Sequence, residues 1–425
     1  MPGRGRPRRR APLAGLLLGL AVFWLLLLVT SYGGLSPTGP ATASSPGWYS
    51  LYFTQPVGPA ARSFEGGPDE PLAQAIDQAQ YSVEVAAYEL DMWSVRDALI
   101  RAHRRGVTVR LITDSDNLGT DEIADLAAAG IPLRGDEREP LMHHKFVVLD
   151  RLEVWTGSMN YTVNGAYRNN ENLIRIRSAG MAQDYLREFE EMYSEQRFGA
   201  LSLVDTPFGS LELQGVPLEV LFSPEDSVLE RLLDLVRKAQ GSLHFLAFSF
   251  TSDELGQSLL ALAENGVEVQ GVMESSQAAG QGSEYARLRE AGLGVRLDGN
   301  PYSMHHKVLI IDGRIVVTGS YNFSRSAEER NDENVLILFD PQLIDLCEQA
   351  IMEVAGISHR LPSGPLHDAA EVARAGVPTV MMFVQSLRGL SHTKLEDTKE
   401  EHIELAVQAL DRLTSKTIDW IAAGA

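Results

Sequence analysis

The chain contains the same short sequence twice, and this duplication constrains its fold more than any other feature. "MHHKFVVLD" occupies residues 142–150, and "MHHKVLIID" occupies residues 304–312. Upstream, "YSVEVAAYEL" (81–90) resembles "GSLHFLAFSF" (241–250), and "RRGVTVRLITDSD" (104–116) resembles "ENGVEVQGVMESS" (264–276), both at an offset of 160 residues. One repeat of this length indicates a duplicated domain rather than a solenoid array.

Within each copy, apolar β-rich segments alternate with amphipathic ones. "SVRDALIRAHRRG" and "DELGQSLLALAENG" have helical periodicity, and Gly266 ends the second of them as a helix stop. This alternation predicts an α/β sandwich in each half, with repeat 1 over residues 48–205 and repeat 2 over residues 206–340. The fold class is therefore α/β, with two tandem α/β/α sandwich domains.

The repeated segment has the pattern of a β-hairpin. Asp312-Gly313 lies between two β-branched runs, which predicts a two-residue turn that pairs Ile311 with Arg314 and His305 with Ser320. The same count pairs His143 with Ser158. Because side chains alternate along a strand, four polar residues of each copy fall on one face: His143, Lys145, Ser158 and Asn160 in the first copy, and His305, Lys307, Ser320 and Asn322 in the second.

The remaining polar residues of the motif point elsewhere. His144 and His306 face the opposite side of the strand, which predicts that they pack or hydrogen-bond beneath the sheet. Asp150 and Asp312 stand at the turns, a position that favours a conformational role over that of a catalytic acid.

An imidazole, an ammonium, a hydroxyl and an amide on one face suit the chemistry of a phosphate. Lysine supplies charge, serine and asparagine supply neutral donors, and histidine can attack phosphorus or carry a proton near neutral pH. A single H-x-K would be weak evidence. Two copies of H-x-K-x4-D-x6-G-S-x-N, with every fixed position kept, are strong evidence.

These motifs resemble the paired HKD motifs of the phospholipase D superfamily, over roughly residues 48–340. The resemblance implies a pseudo-dimer whose two motifs face each other and form one active site. One histidine attacks phosphorus to give a phosphohistidine, and the other protonates the leaving alcohol and then activates water, without a metal or other cofactor. The analogy favours His143 as nucleophile and His305 as acid and base. The catalytic set that it implies is His143, Lys145, Asp150, His305, Lys307 and Asp312, with Ser158, Asn160, Ser320 and Asn322 binding the phosphate.

The resemblance also implies an acidic residue that orients each histidine. "NNEN" offers Glu171 and "NDEN" offers Glu333, and each lies 28 positions after the histidine of its own copy. A carboxylate on the far imidazole nitrogen would fix the tautomer of the ring and favour its charged form.

The sequence leaves the substrate class open between phospholipid and nucleic acid. The "MHHKF" form resembles the branch of small members that includes endonucleases and cardiolipin hydrolases. The formal net charge of −20, with five arginines confined to the first ten residues, makes nucleic acid the less favoured partner. "RAHRRG" (101–106), the one dense basic run of the body, has the pattern of a solvated helix face. A non-catalytic adaptor is disfavoured because both motifs are intact.

The N-terminus predicts export. Residues 11–29 carry no charge and follow five arginines, so residues 1–32 form a transmembrane anchor or, with "ATA" (41–43) as a cleavage site, a signal peptide. The Gly/Pro/Ser/Thr-rich residues 33–47 are predicted to form a flexible stalk. The catalytic body would then lie outside the cytoplasm, anchored to the membrane or secreted.

The C-terminal part resembles a different family. Residues 361–398 are similar to the closing segment of the two-metal N-carbamoyl-amino-acid and allantoate amidohydrolases, and this resemblance makes His367 a substrate contact and His392 a metal ligand. The upstream domain that normally supplies the other ligands is missing, and the single cysteine excludes a Cys-based metal cluster. We therefore interpret residues 341–425 as a fused remnant without a metal site.

Overall fold

The computed structural model of the protein describes residues 41–42, 47–339 and 399–422. The predicted anchor or signal peptide (1–32) lies outside these residues, as do His367 and His392 of the predicted amidohydrolase remnant. Within the described ranges, no helix combines the length and the apolar character that a membrane crossing requires.

The first half is built on an eight-stranded mixed sheet. Its strands are β1 (Ala41–Thr42), β2 (Tyr49–Phe53), β3 (Ser82–Ala87), β4 (Thr108–Thr113), β5 (Leu133–Gly135), β6 (Lys145–Leu149), β7 (Glu153–Gly157) and β8 (Asn172–Arg177). Their order is β1-β2-β8-β7-β6-β3-β4-β5. Only the β3–β4 and β4–β5 pairs of this sheet are parallel.

The second half repeats this arrangement strand for strand. Its strands are β9 (Ser210–Leu213), β10 (Val216–Ser223), β11 (Ser242–Ala247), β12 (Glu268–Met273), β13 (Gly294–Leu297), β14 (Lys307–Ile311), β15 (Ile315–Gly319) and β16 (Glu333–Phe339). Their order, β13-β12-β11-β14-β15-β16-β10-β9, is that of the first sheet read from the other edge. The parallel pairs are again those at the β11–β12–β13 edge.

Helices connect and cover the strands. In the first half the α-helices are Pro59–Ser63, Asp69–Gln78, Trp93–Arg104, Asp121–Ala128, Val163–Tyr167 and Ala179–Tyr193. In the second half they are Val228–Arg237, Asp253–Glu264, Ser275–Ala278, Tyr285–Glu290 and Arg325–Glu329, and Glu400–Ala422 follows near the C-terminus. Short 3₁₀ turns occupy Ser115–Asn117 and Gly199–Leu201.

The buried apolar residues form three clusters that define the layers. The first joins one face of the first sheet to the helices Asp69–Gln78 and Trp93–Arg104, and the second joins one face of the second sheet to the helices Val228–Arg237 and Asp253–Glu264. The third contains the helix Ala179–Tyr193 together with residues from both sheets. The two halves therefore share this third cluster, which holds the two hairpins in a fixed relation.

Two local predictions are wrong. Ala41–Thr42, inside the predicted stalk, pairs as an edge strand with β2. The hairpin loops contain three residues rather than two, because Ile311 pairs with Ile315 and Leu149 with Glu153. The Arg314 N–H still donates to the Ile311 carbonyl at 3.0 Å, as in the predicted turn. One bulged residue, however, shifts the pairing of the two strands by one position.

Candidate active site

Each motif histidine is held in place by the opposite half of the molecule. His143 and His305 stand two residues before the first residues of β6 and β14, Lys145 and Lys307. The His143 N–H donates to the Asp332 carbonyl at 3.0 Å, and the His305 N–H donates to the Asn170 carbonyl at 3.0 Å. The backbone itself therefore couples the two motifs, and neither histidine is positioned by its own repeat alone.

The orienting glutamates act across the two halves. His143 Nδ1 lies 2.7 Å from Glu333 Oε2, and His305 Nδ1 lies 2.8 Å from Glu171 Oε1. The pairing of each glutamate with the histidine of its own copy is therefore wrong, although the same two glutamates are involved. With both Nδ1 atoms facing a carboxylate, the Nε2 atoms are left to meet a substrate.

The serines of the motif support the glutamates. Ser158 Oγ donates to Glu171 Oε2 at 2.6 Å and accepts from the Asn172 N–H at 3.1 Å, and Ser320 Oγ accepts from the Asn334 N–H at 3.0 Å. Both serines are fully buried. The predicted role of Ser158 and Ser320 in binding phosphate is not supported, because their hydroxyls already bond within the protein.

A bulge explains the glycine before each serine. The N–H groups of Ser158 and Met159 both donate to the Asn172 carbonyl, at 3.2 and 3.3 Å. Gly157 has a φ of 143°, and a Cβ atom there would collide with the same carbonyl. Gly319 repeats this conformation with a φ of 146°. The glycine is required by the backbone, which turns the serine toward the glutamate.

The lysines are buried beside the histidines. Lys145 Nζ donates to the His143 carbonyl and Lys307 Nζ to the His305 carbonyl, each at 2.7 Å. Each ammonium also faces an aromatic ring, that of Tyr88 at 5.1 Å from Lys145 and that of Phe248 at 4.7 Å from Lys307. An ammonium carries three N–H donors, so each lysine retains capacity for an anionic ligand.

The second histidines lie beneath the site, as predicted. His144 Nε2 lies 2.9 Å from Glu188 Oε1, and its Nδ1 lies 3.3 Å from Asn334 Nδ2. His306 Nδ1 lies 3.0 Å from Asn172 Nδ2. The contacts with Asn334 and Asn172 again cross between the halves, whereas Glu188 belongs to the same half as His144. The two asparagine contacts therefore join the repeats.

Two asparagines that were not predicted from the sequence organise this layer. Asn172 Oδ1 accepts from Thr318 Oγ1 at 3.0 Å, and Asn334 Oδ1 accepts from Thr156 Oγ1 at 2.9 Å. The available signal was the "EN" pair, present in both "NNEN" and "NDEN". Each glutamate orients the first histidine of the other repeat, and the following asparagine contacts its second histidine.

The aspartates of the motif are remote from the histidines. Asp312 accepts hydrogen bonds from the N–H groups of Gln240, Gly241 and Ser242 at 3.0, 2.7 and 3.0 Å, and Asp150 accepts from the equivalent Gln80, Tyr81 and Ser82. They tie the hairpin turns to the starts of β11 and β3. These contacts support the predicted conformational role of Asp150 and Asp312 and give no support to their inclusion in the catalytic set.

The asparagines that close the motif border the site. Asn160 is buried, and its Nδ2 donates to Glu89 Oε2 at 3.2 Å. The Oδ1 atoms of Asn160 and Asn322 are both buried without a hydrogen-bond partner among the described residues. A role for Asn160 and Asn322 in binding phosphate remains a prediction.

Burial and charge set the protonation states of the site. Burial, together with the charges of Lys145 and Lys307, lowers the pKa of His143 well below its usual value. Burial also lowers the pKa of His305, but Glu171 opposes this shift. Burial lowers the pKa of Lys145 to about 8 and that of Lys307 to about 7.

The two orienting carboxylates differ. Burial would raise the pKa of Glu171, but His305, Lys307 and Ser158 together outweigh it and lower the pKa. Burial dominates at Glu333 and raises its pKa to about 7, against the opposing effect of Lys145. The two halves of the site are therefore similar in geometry and unequal in electrostatics.

No group of three or more His, Cys, Asp or Glu side chains within the described part of the chain has a geometry that could hold a metal ion. What the described site provides is two imidazoles with available Nε2 atoms and two buried ammonium groups. Such a set can attack, protonate and neutralise a phosphodiester.

Comparison with known proteins agrees with this geometry. A family model described as "Cardiolipin synthase, PLD-like domain" matches residues 72–193 and 232–354, which together make up more than half of the chain. A mitochondrial cardiolipin hydrolase from Chlamydomonas reinhardtii is 39% identical over 128 residues, which are 30% of this chain and 57% of that protein. The chain thus spans little more than half the length of that relative.

Two further proteins extend the comparison. A phospholipase D from Rickettsia conorii is 28% identical over 166 residues, covering 39% of this chain and 82% of that protein. The crystal structure of a phosphatidylserine synthase from Haemophilus influenzae is 17% identical, with a TM-score of 0.50, and covers 69% of this chain and 82% of that one. At this level of identity the last similarity bears on the fold alone.

Proposed function

Because the chain belongs to the phospholipase D superfamily, whose PLD-like domain occurs in both of its halves, we propose that it is a phosphodiesterase. It hydrolyses a phospholipid through a covalent phosphohistidine intermediate, without a metal ion. The observation that carries this proposal is the crossed pairing of His143 with Glu333 and of His305 with Glu171. This pairing makes the two halves one site with two oriented imidazoles.

The reaction proceeds in two balanced steps. In the first, the Nε2 lone pair of one histidine attacks phosphorus, the bond from phosphorus to the leaving oxygen breaks, and the other histidine gives that oxygen its proton. In the second, the same histidine takes a proton from water, whose oxygen attacks phosphorus and releases the first histidine. Lys145 and Lys307 neutralise the charge that develops on the phosphoryl oxygens.

The electrostatic difference between the halves supports His143 as the nucleophile. A nucleophilic imidazole must be neutral, and the pKa of His143 is lowered well below its usual value by burial and by both lysines. The acid must hold a proton; burial lowers the pKa of His305 as well, but Glu171 opposes that shift and favours the charged form of the ring. The opposing effect of Glu171 on His305 supports the analogy that assigns His305 as the acid and base.

Phospholipid is the substrate class that we favour over nucleic acid. Relatives that match include a cardiolipin hydrolase and a phospholipase D. The basic run at 101–106 offers little to a polyanion, because Arg101 bonds to both oxygens of Asp77 at 2.9 and 2.8 Å and Arg105 bonds to the Ile76 carbonyl at 3.0 Å. Binding to DNA would require clustered basic residues that are free to meet phosphates.

We further propose that residues 11–29 anchor the enzyme in a membrane and place the catalytic body outside the cytoplasm. An anchored protein stays with membranes after an alkaline carbonate wash and runs at full length. A shortened, soluble species that begins near Ser44 would establish a cleaved signal peptide instead.

One experiment tests the proposed reaction and substrate together. The purified full-length chain is incubated with labelled phosphatidylcholine and ethanol, and in parallel with single-stranded DNA, each with and without EDTA. We expect phosphatidic acid or phosphatidylethanol from the lipid, no change with EDTA, and intact DNA. Cleavage of DNA alone would favour a nuclease, and loss of lipid cleavage in EDTA would contradict the metal-free mechanism.

A further inference from the structure

The first half has more acidic residues around its motif than the second half has. At four positions of the first half, counted at the repeat offset of 160 residues, the chain has Glu89, Asp91, Asp114 and Asp116, whereas the second half has Ser249, Thr251, Glu274 and Ser276. Three of four negative charges are therefore absent from the second half. Such a difference between otherwise matched halves cannot serve the chemistry that both motifs share.

Two of the four acidic side chains have structural tasks. Asp114 accepts hydrogen bonds from the N–H groups of Asp116 and Met142, and Glu274 does the same in the second half for Ser276 and Met304. Asp91 accepts from the N–H of Val163, at the start of a short helix. These contacts explain Asp91 and Asp114 without a ligand.

Glu89 has no comparable structural task. It follows Tyr88, whose ring centroid lies 4.9 Å from that of His143, and it lies close enough to Lys145 for the two charges to interact. Among the described residues, Asn160 Nδ2 donates a hydrogen bond to Glu89 Oε2 at 3.2 Å, which is long for a bond to a carboxylate. Its side chain is half-buried and therefore remains accessible to a ligand.

A carboxylate at this position is unfavourable even with the charge of Lys145 nearby, and a further cation would stabilise it. Burial raises the pKa of Glu89 against the opposing charge of Lys145, and Asp91, Glu171 and Asp114 raise it further, so its charged form is disfavoured in the free protein. It would also repel the phosphate that the lysines attract. Ser249 at the matching position indicates that the fold and the motif do not require an acid there.

We propose that Glu89 binds the ammonium group of a zwitterionic phosphodiester and thereby selects lipids whose head group is an amino alcohol. The phosphate of such a lipid lies between Lys145 and Lys307, and its ammonium, two carbons from the ester oxygen, reaches the Glu89 carboxylate. This inference rests on the proposed phospholipid hydrolysis. It makes cardiolipin, an anionic lipid without an ammonium group, a poorer substrate than phosphatidylcholine or phosphatidylethanolamine.

The test compares two lipids in two variants of the full-length chain. Hydrolysis of phosphatidylcholine and phosphatidylglycerol is measured in uncharged mixed micelles, and kcat/KM for the first is divided by that for the second. Glu89→Gln should lower this ratio about tenfold, the effect of losing one charge-assisted contact. Asp116→Asn removes an exposed charge from the same border and should leave the ratio within about twofold of the wild-type value.

A binding measurement decides the question if turnover is absent. Glycerophosphocholine and glycerophosphoglycerol are titrated calorimetrically into the wild type and into Glu89→Gln. The wild type should prefer the choline diester, and the variant should lose that preference. Equal preference in both proteins would overturn the role of Glu89. If neither lipid is hydrolysed by the wild type while this preference is observed, the proposed reaction is wrong and the ammonium site stands.

Discussion

Asp312 allows a sharp distinction between a structural and a catalytic aspartate. Its carboxylate receives three backbone N–H groups, those of Gln240, Gly241 and Ser242. It lies five residues along the chain from Lys307, which corresponds to about 16 Å at the rise of an extended strand. Asp312→Ala should therefore destabilise the protein and leave the chemistry of the folded molecules unchanged.

The expected loss of unfolding free energy in Asp312→Ala depends on how exposed these groups are. A hydrogen bond to a charged acceptor contributes about 1.5–3 kcal/mol when buried, but Asp312 is partly exposed and water can replace much of its effect, so the three bonds together contribute about 1–2 kcal/mol. Alanine adds about 1 kcal/mol because Asp312 has a φ of 53°. Asp312→Asn, which tolerates that conformation and retains one acceptor oxygen, should cost about 1 kcal/mol.

Urea denaturation at two pH values provides the assay. The three N–H groups outweigh burial and lower the pKa of Asp312 in the folded protein. Its contribution is therefore complete above the unfolded pKa of about 3.9 and is lost as the pH falls through the folded value. The difference between wild type and Asp312→Ala should therefore narrow at acid pH to the conformational cost of alanine, which does not depend on pH. Turnover per folded molecule should stay within about twofold of wild type. A hundredfold loss of turnover with an unchanged unfolding midpoint would refute this reasoning.

Three further predictions concern the lysines, the second histidines and the tail. Burial lowers the pKa of Lys307 to about 7, so kcat/KM should fall as the pH rises through that region and the ammonium is lost. Lys307→Arg should move this fall to higher pH. If the pH profile of the variant is unchanged, Lys307 is not the origin of the fall. His144→Asn and His306→Asn should leave turnover within about tenfold of wild type. They should lower the denaturation midpoint, because both rings are buried between the halves. A loss of turnover comparable to that of His143→Asn would contradict their placement. His392→Ala should leave phosphodiester turnover unchanged, whereas stoichiometric zinc lost with that substitution, measured by elemental analysis, would show a working metal site in the C-terminal part.

The sequence was informative about the site because the motif occurs twice. The alternation of side chains separated His143 from His144 correctly, and the turn position of Asp312 indicated its conformational role. The duplicated pattern also predicted two sheets of equivalent topology. These inferences depend only on short-range geometry, which the local sequence determines.

The crossed pairing of the glutamates could not be predicted in the same way. Glu171 and Glu333 stand at identical distances from the histidines of their own copies, so the spacing is the same whether the contacts form within or between repeats. The choice depends on how the two sheets pack, which no local pattern records. The contact between Ser158 and Glu171 could not be predicted for a related reason. The bulge at Gly157 turns Ser158 toward Glu171 and changes the side-chain alternation that the prediction assumed.

The covalent intermediate provides the most direct test of the proposed mechanism. In His305→Asn, a p-nitrophenyl phosphodiester should still form the adduct, because nitrophenolate leaves without a proton, but water would lack its base. We predict a burst of one equivalent of nitrophenolate and, after alkaline quenching, a phosphoryl adduct that mass spectrometry locates on His143. His143→Asn should give neither. No burst in His305→Asn, or an adduct on a residue other than His143, would contradict the account.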